Sequence, residues 1–308
     1  MPEMILTQHL FKRYGSKTVI DDISLSVNKG EIYGFLGLNG AGKTTIIRLL
    51  LGMIRPSSGG VYLDGKWVES GDPGLWENVG YLVETPYAYP AFTVRENLEL
   101  ICRLRRISGK KPVDEVLRKL NLTPYEHTKA KDLSLGNAQK LGLAKALIHN
   151  PSILILDEPT NGLDPAGIYQ VRELLQDLAG NHGVTIFISS HILEEMSKMV
   201  SRFGIIHQGR MMQEMSASEL DRLRNKHLWV ETRHPEAARA KLAEEGYSVH
   251  LSGQGLLEVT SEKAIRHPEQ IAELLVHADM PPTLLKVEEE NLESYFLRSV
   301  GMIGGEAK

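Results

Sequence analysis

The chain has 308 residues, 42% apolar and 24% charged, which fits one large or two modest soluble globular domains. A formal net charge of −4 argues against a sequence-independent nucleic-acid binder, which needs a strongly basic surface. The single cysteine, Cys102, excludes an internal disulfide framework, and no apolar run approaches the roughly 20 residues of a membrane helix.

The opening "MPEMILTQHLFKRYG" sets acidic and polar residues where an apolar signal core would stand, so no secretory signal is predicted. "MILTQHL" and "ISLSV" alternate as short strands, and Lys29-Gly30 turns the chain into "EIYGFLG". That last run is short, apolar and followed by glycines, as a buried strand is. A helix follows over about 43–51, with Gly52 as its stop. "GGVYLDGKWV" reads as a hairpin turning at Asp64-Gly65. Residues 93–122 read as amphipathic helix interrupted at "SGKKP", and "LSLGNAQKLGLAKAL" as a further helix to about His149.

"SILILDEP" is a second buried strand, and a helix follows over 165–179. "VTIFISSH" is a third, with a short helix over 192–199, and "RFGIIHQGRMM" is a closing hairpin. Apolar strands alternating with helices imply a parallel sheet covered on both faces. Beyond Asn225 the order changes to β-α-β-β-α-β plus a helix, the order of a split βαβ unit. The domains expected are therefore 1–222 and 226–302, with a disordered tail at 303–308.

"GLNGAGKT", Gly37 to Thr44, matches G-x-x-x-x-G-K-[ST] between a buried strand and a helix. Such a loop turns backbone N–H groups inward around phosphate oxygens, and the helix amino terminus adds unpaired donors. The residues Gly37, Leu38, Asn39, Gly40, Ala41, Gly42, Lys43, Thr44 and Thr45 are thus candidates for binding ATP. Lys43 would reach the β- and γ-phosphates, the Thr44 hydroxyl would ligate Mg²⁺, and Thr45 would meet the α-phosphate. The apolar strand "ILILDEP" ends in the second set of groups an ATPase needs. Asp157 would hold Mg²⁺, and Glu158 would polarise the attacking water.

With "LSLGN" between these motifs, the chain from about Met4 to Leu220 resembles the ATP-binding subunits of ABC transporters. The resemblance implies a P-loop NTPase fold: an α/β ABC ATPase domain with a mixed sheet and a helical subdomain at about 86–150. A small α+β domain, ferredoxin-like or split βαβ, would follow it. It also implies that ATP is sandwiched between two subunits, the phosphate loop of one facing the signature loop of the other.

In that family Tyr14 matches the aromatic that stacks on adenine, as a flat face does with little specificity. Glu84 stands where most members have glutamine, a residue that senses Mg²⁺ and the γ-phosphate. Glutamate can still ligate Mg²⁺, but it is negatively charged and, ionised, only accepts hydrogen bonds. Ser134 and Gly136 keep the two signature positions that face a γ-phosphate, while Leu135 replaces a glycine and Asn137 a glutamine. Ser134 equally fits a helix cap, and so does Asp164, which in the family belongs to a loop crossing the dimer interface. His191, after the third apolar strand, matches the switch histidine at the γ-phosphate. The loop "PYAYPAFTVRENL", 86–98, lies where the family receives short helices of the membrane subunit, and Tyr87, Tyr89 and Phe92 suit an interface.

The signature variant, Glu84 and the ending "EENLESYFLRS" are similar to the group that includes bacitracin-resistance, lantibiotic-immunity and sodium-export ATPases. This resemblance implies a motor on the cytoplasmic face of the membrane, a dimer with a second ATPase subunit that works with a separate permease and no nucleic acid. A peptide antibiotic, drug, lipid-like compound or ion would be its cargo. The competing readings are a non-transport regulator acting through its carboxy-terminal domain and an ATP-binding module with little hydrolysis.

Overall fold

The computed structural model of the chain describes residues 2–84, 87–253, 255–299 and 301. The expected tail at 303–308, and Pro86 at the expected start of the helical subdomain, lie outside these residues. The chain forms two units, Met1–Ala217 and Ser218–Lys308.

In the first unit, β1 (Glu3–Tyr14) and β2 (Lys17–Asn28) make a long antiparallel ribbon. β3 (Ile32–Leu36) is buried at all its positions, as a strand covered on both faces must be. It leads through the glycine loop into α1 (Lys43–Leu50), whose Ile46, Ile47, Leu49 and Leu50 enter the core. β4 (Ser58–Leu63) and β5 (Lys66–Trp67) pair across the Asp64-Gly65 turn, both of whose residues have positive φ. The order β2-β1-β4-β5 closes a first, antiparallel sheet.

β6 (Val79–Leu82) precedes α2 (Val94–Leu104), which Thr93 and Glu96 start with a reciprocal capping box. α3 (Lys111–Lys119) and α4 (Leu135–Leu147) complete this helical stretch. α4 lies so close to β6 that a Cβ on Gly80 would sit 2.2 Å from the Ala146 carbonyl oxygen. Then come β7 (Ile153–Asp157), α5 (Pro165–Gly180), β8 (Thr185–Ser190), α6 (Leu193–Ser197), β9 (Arg202–His207) and β10 (Arg210–Ser216). They form a second sheet of order β10-β9-β3-β8-β7-β6, parallel except for β10. The carboxyl ends of β3, β8 and β7 are thereby neighbours, and ligands of open α/β sheets bind just outside such ends.

The second unit holds α7 (Ala217–Leu223), β11 (Lys226–Thr232), α8 (Pro235–Glu244), β12 (Val249–Leu251) and β13 (Leu257–Val259). It continues with α9 (Glu262–Arg266), α10 (Pro268–His277), β14 (Pro282–Glu289) and α11 (Leu292–Ser299). Its antiparallel sheet has the order β12-β13-β11-β14, so β13 separates the two strands joined through α8. Leu228, Val230, Leu242, Leu257, Ile271 and Leu275 form its own core. The division falls after Ala217 instead of 222, so all of α7 but its first residue belongs to this unit. Arg224 donates to the Glu290 carbonyl at 2.6 Å, and the Asn225 amide donates to its carboxylate at 3.1 Å. Among the described residues, no helix is long and apolar enough to cross a membrane.

Candidate functional site

The loop between β3 and α1 is shaped by its glycines. Gly42 has φ +114°, a conformation L side chains rarely adopt. Gly37 approaches the Ile206 carbonyl so closely that a Cβ would lie 2.7 Å from it. The Lys43 side chain is buried and folds back over the loop, donating to the carbonyls of Gly37 (2.7 Å) and Leu38 (3.4 Å). Its ammonium also stands 3.5 Å from Glu158.

Next to it, the Thr44 hydroxyl donates to one oxygen of Asp157 at 2.9 Å, and the Ser189 hydroxyl donates to the other. Asp157 is the last residue of β7 and only 3% exposed, so these two donors stabilise a carboxylate that water hardly reaches. Glu158 follows with φ +50°, a turn anchored by its own N–H to the Ser189 carbonyl (3.1 Å). The Gln139 side chain of α4 donates to the Glu158 carbonyl at 3.0 Å. The Glu158 carboxylate thus spans two groups: one oxygen faces Lys43 and the other is hydrogen-bonded to His191 Nδ1.

These groups face a cavity of about 510 Å³. Of the residues singled out in the sequence, Asn39, Gly40, Gly42, Lys43, Thr44, Thr45, Glu84, Asp157 and Glu158 line it. Gly37 and Leu38 stand behind Lys43 as carbonyl acceptors, and Ala41 is buried. His191 reaches the cavity through Glu158. Glu84 has φ +56°, and its carboxylate is paired with Arg48 of α1.

Five expected residues lie elsewhere. Ser134, Gly136, Asn137 and Asp164 line a second cavity, of about 710 Å³, and Leu135 borders both cavities. Ser134 caps α4 by accepting from the Asn137 amide at 3.3 Å, and Asp164 caps α5 by accepting from the Gly167 amide at 2.9 Å. Tyr14 is not among the residues lining either cavity; it is half exposed at the end of β1, with the Lys12 ammonium 4.8 Å from its ring centre. Residues missed from sequence are Ser189, Gln139, Arg48 and Asn161, the last lining the first cavity.

Among the described residues, no three His, Cys, Asp or Glu side chains gather as a metal-ligand set. Thr44 and Asp157 do present two hard oxygens 2.9 Å apart on one cavity. Such a sparse oxygen set fits Mg²⁺, which completes its shell with substrate phosphates and water.

A family described as ABC transporter matches residues 20–161. The bacitracin transport ATP-binding protein BcrA of Bacillus licheniformis is 38% identical, the match covering 98% of each chain. The lantibiotic transport ATP-binding protein SrtF of Streptococcus pyogenes is 35% identical, covering 75% of this chain and all of its own. Among solved structures, the ATP-binding subunit of an ABC transporter superposes with a TM-score of 0.66 at 28% identity, covering 71% of this chain and 92% of its own. A dimeric bacterial ABC transporter cassette gives 0.66 at 24% identity, covering 70% of this chain and 99% of its own, and shows the fold alone.

Proposed function

The chain belongs to the ATP-binding subunits of ABC transporters, and from that premise we propose how its own residues bind ATP, hydrolyse it and pass the result on. It is an ATPase, the motor of a transporter. The relatives named for bacitracin and lantibiotic transport favour an exporter of a peptide antibiotic or similar amphiphile. A separate permease would carry the cargo and hold the motor at the cytoplasmic face of the membrane.

The amides of the 37–42 loop and the amino terminus of α1 would cradle the phosphates. Lys43 would leave its carbonyl partners and turn to the β- and γ-phosphates, since a bound anion offers a stronger partner than two carbonyls. Thr44 and Asp157 would hold Mg²⁺, which supplies neutralising charge to the phosphates when bound. Ser189 keeps Asp157 aimed at Thr44. Once Lys43 engages phosphate, Glu158 is free to accept a hydrogen bond from water and orient it for attack. His191, held on the far side of that carboxylate, would contact the γ-phosphate edge and steady Glu158. Tyr14 is the candidate to stack on adenine.

Ser134, Gly136, Asn137 and Asp164 line the second cavity, which none of the residues 37–45 lines. They would serve the nucleotide of a second subunit, so two chains would close on two ATP molecules. The single observation that carries this reading is Glu158 set between Lys43 and His191 beside the Thr44–Asp157 pair. A mixing experiment tests the shared-site part. Lys43→Ala and Ser134→Arg variants should each be inactive alone and should recover turnover when mixed, because one composite site in the mixed pair is intact. No recovery on mixing, with mixed pairs shown to form, would contradict it.

A further inference from the structure

Glu158 places its carboxylate between Lys43 and His191 from a backbone at φ +50°. A non-glycine residue keeps that left-handed conformation only where its surroundings hold it. Its N–H donates to the Ser189 carbonyl at 3.1 Å, across to β8. Its carbonyl accepts from the Asn161 amide at 3.1 Å, closing a turn over Pro159 and Thr160. A further bond comes from outside the sheet. Gln139 of α4, only 3% exposed, donates its side-chain amide to the same carbonyl at 3.0 Å. A carbonyl oxygen only accepts, so this contact orients the amide with its nitrogen toward Glu158.

α4 also grips the far end of this loop. A Cβ on Gly162, whose φ is +77°, would lie 2.4 Å from Leu135 Cδ2. One on Gly136 would lie 3.2 Å from the Gly162 carbonyl oxygen. The first turn of α4 thus rests on Gly162, through a leucine where the family has glycine. Gln139 follows Leu135 by one helical turn, on the same face, and holds Glu158. One helix therefore clamps the 158–162 loop at both ends. A buried amide bonded to a main-chain carbonyl is often plain core packing. Here the carbonyl belongs to the residue that faces Lys43 and His191, and Gln139 itself lines the phosphate cavity.

We propose that Gln139 is a positioning residue for hydrolysis. It keeps the Glu158 main chain in the left-handed turn from which the carboxylate meets the attacking water. The proposal rests on the ATPase reading above and adds a residue that acts through Glu158 instead of on the nucleotide. Leu135, seated on Gly162, fixes the helix from which Gln139 reaches.

The test uses the purified full chain and single-turnover ATP hydrolysis. Gln139→Met keeps the side-chain volume and removes the donor. Its rate should fall about 3- to 10-fold, as loss of one neutral hydrogen bond does when all of it goes into aim. ATP affinity should stay within about twofold, since the phosphate contacts are untouched. Added to Glu158→Gln, the same substitution should lower the rate no further, because no base is left to aim. A folded Gln139→Met variant with an unchanged rate overturns the proposal. An equal fall on top of Glu158→Gln also overturns it and assigns Gln139 to the fold alone. Where Gln139→Met does not fold, Gln139→Glu decides. Its carboxyl can donate to the carbonyl only when protonated, so its rate relative to the unaltered chain should rise from about pH 8 to about pH 6. A flat ratio overturns the proposal. If Glu158→Gln itself hydrolyses ATP like the unaltered chain, the water-activation reading falls and the positioning role with it. If Glu158→Gln is slow and the Gln139 variants are not, only the positioning role falls.

Discussion

Replacing Ser189 by alanine removes a single hydroxyl that supports Asp157 from outside the cavity lining. Ser189 is fully buried on β8, directly beside Asp157 in the parallel register with β7. Its hydroxyl donates to one Asp157 oxygen while Thr44 donates to the other at 2.9 Å. With Asp157 only 3% exposed, water has little room to replace the lost donor. A hydrogen bond to a charged acceptor contributes about 1.5–3 kcal/mol. If that energy goes into aiming the carboxylate, the Mg²⁺ concentration for half-maximal turnover should rise roughly 10- to 100-fold. The assay is steady-state ATP hydrolysis against Mg²⁺ at saturating ATP, with a urea melt of the same protein. A folded Ser189→Ala variant with an unchanged Mg²⁺ requirement would refute the claim that Ser189 positions Asp157 for the metal.

Burial, with the nearby Arg105 charge adding to it, pushes His149 from 6.5 down to about 4. The unfolded chain therefore takes up this proton below about 6.5 and the folded chain only near 4. The stabilisation is complete above pH 6.5 and declines below it, by about 2 kcal/mol at pH 5. His149→Gln should flatten that part of the profile in urea melts at pH 7.5 and 5; an equally steep loss would place the effect on other groups. Gly80→Ala would force a Cβ to within 2.2 Å of the Ala146 carbonyl and should cost about 1–3 kcal/mol or more, read from the urea midpoint. An unchanged midpoint would mean α4 can back away from β6. Residues 218–301, which carry their own apolar core, should melt cooperatively when expressed alone; a featureless melt would show that this core does not suffice.

The phosphate loop was legible because strand, glycines, Lys43 and helix are consecutive, so local sequence carries the whole shape. Asp157 and Glu158 were legible for a similar reason, standing at the end of an apolar strand. Ser189 was not, although it neighbours the noted His191. Its role exists only once β7 and β8 pair and set it beside Asp157. Gln139 and Arg48 were hidden the same way, since their partners Glu158 and Glu84 are distant in the chain. The first sheet is legible as strands but not as a sheet apart, because β1 joins β4 across the phosphate loop and α1. α9 is not legible in the sequence because its five residues fit between Ser261 and Pro268 with no room for a helical period to show. Ser134 and Asp164 are caps in this single chain, and any role toward nucleotide belongs to a pairing of two chains.

The central claim is that Glu158, set between Lys43 and His191, activates the water that attacks ATP. Glu158→Gln keeps the shape and removes the base. General-base catalysis contributes about 10²–10⁴-fold, so ATP turnover by the purified variant should fall at least about a hundredfold while nucleotide binding persists. Turnover within a few-fold of the unaltered protein would contradict the account.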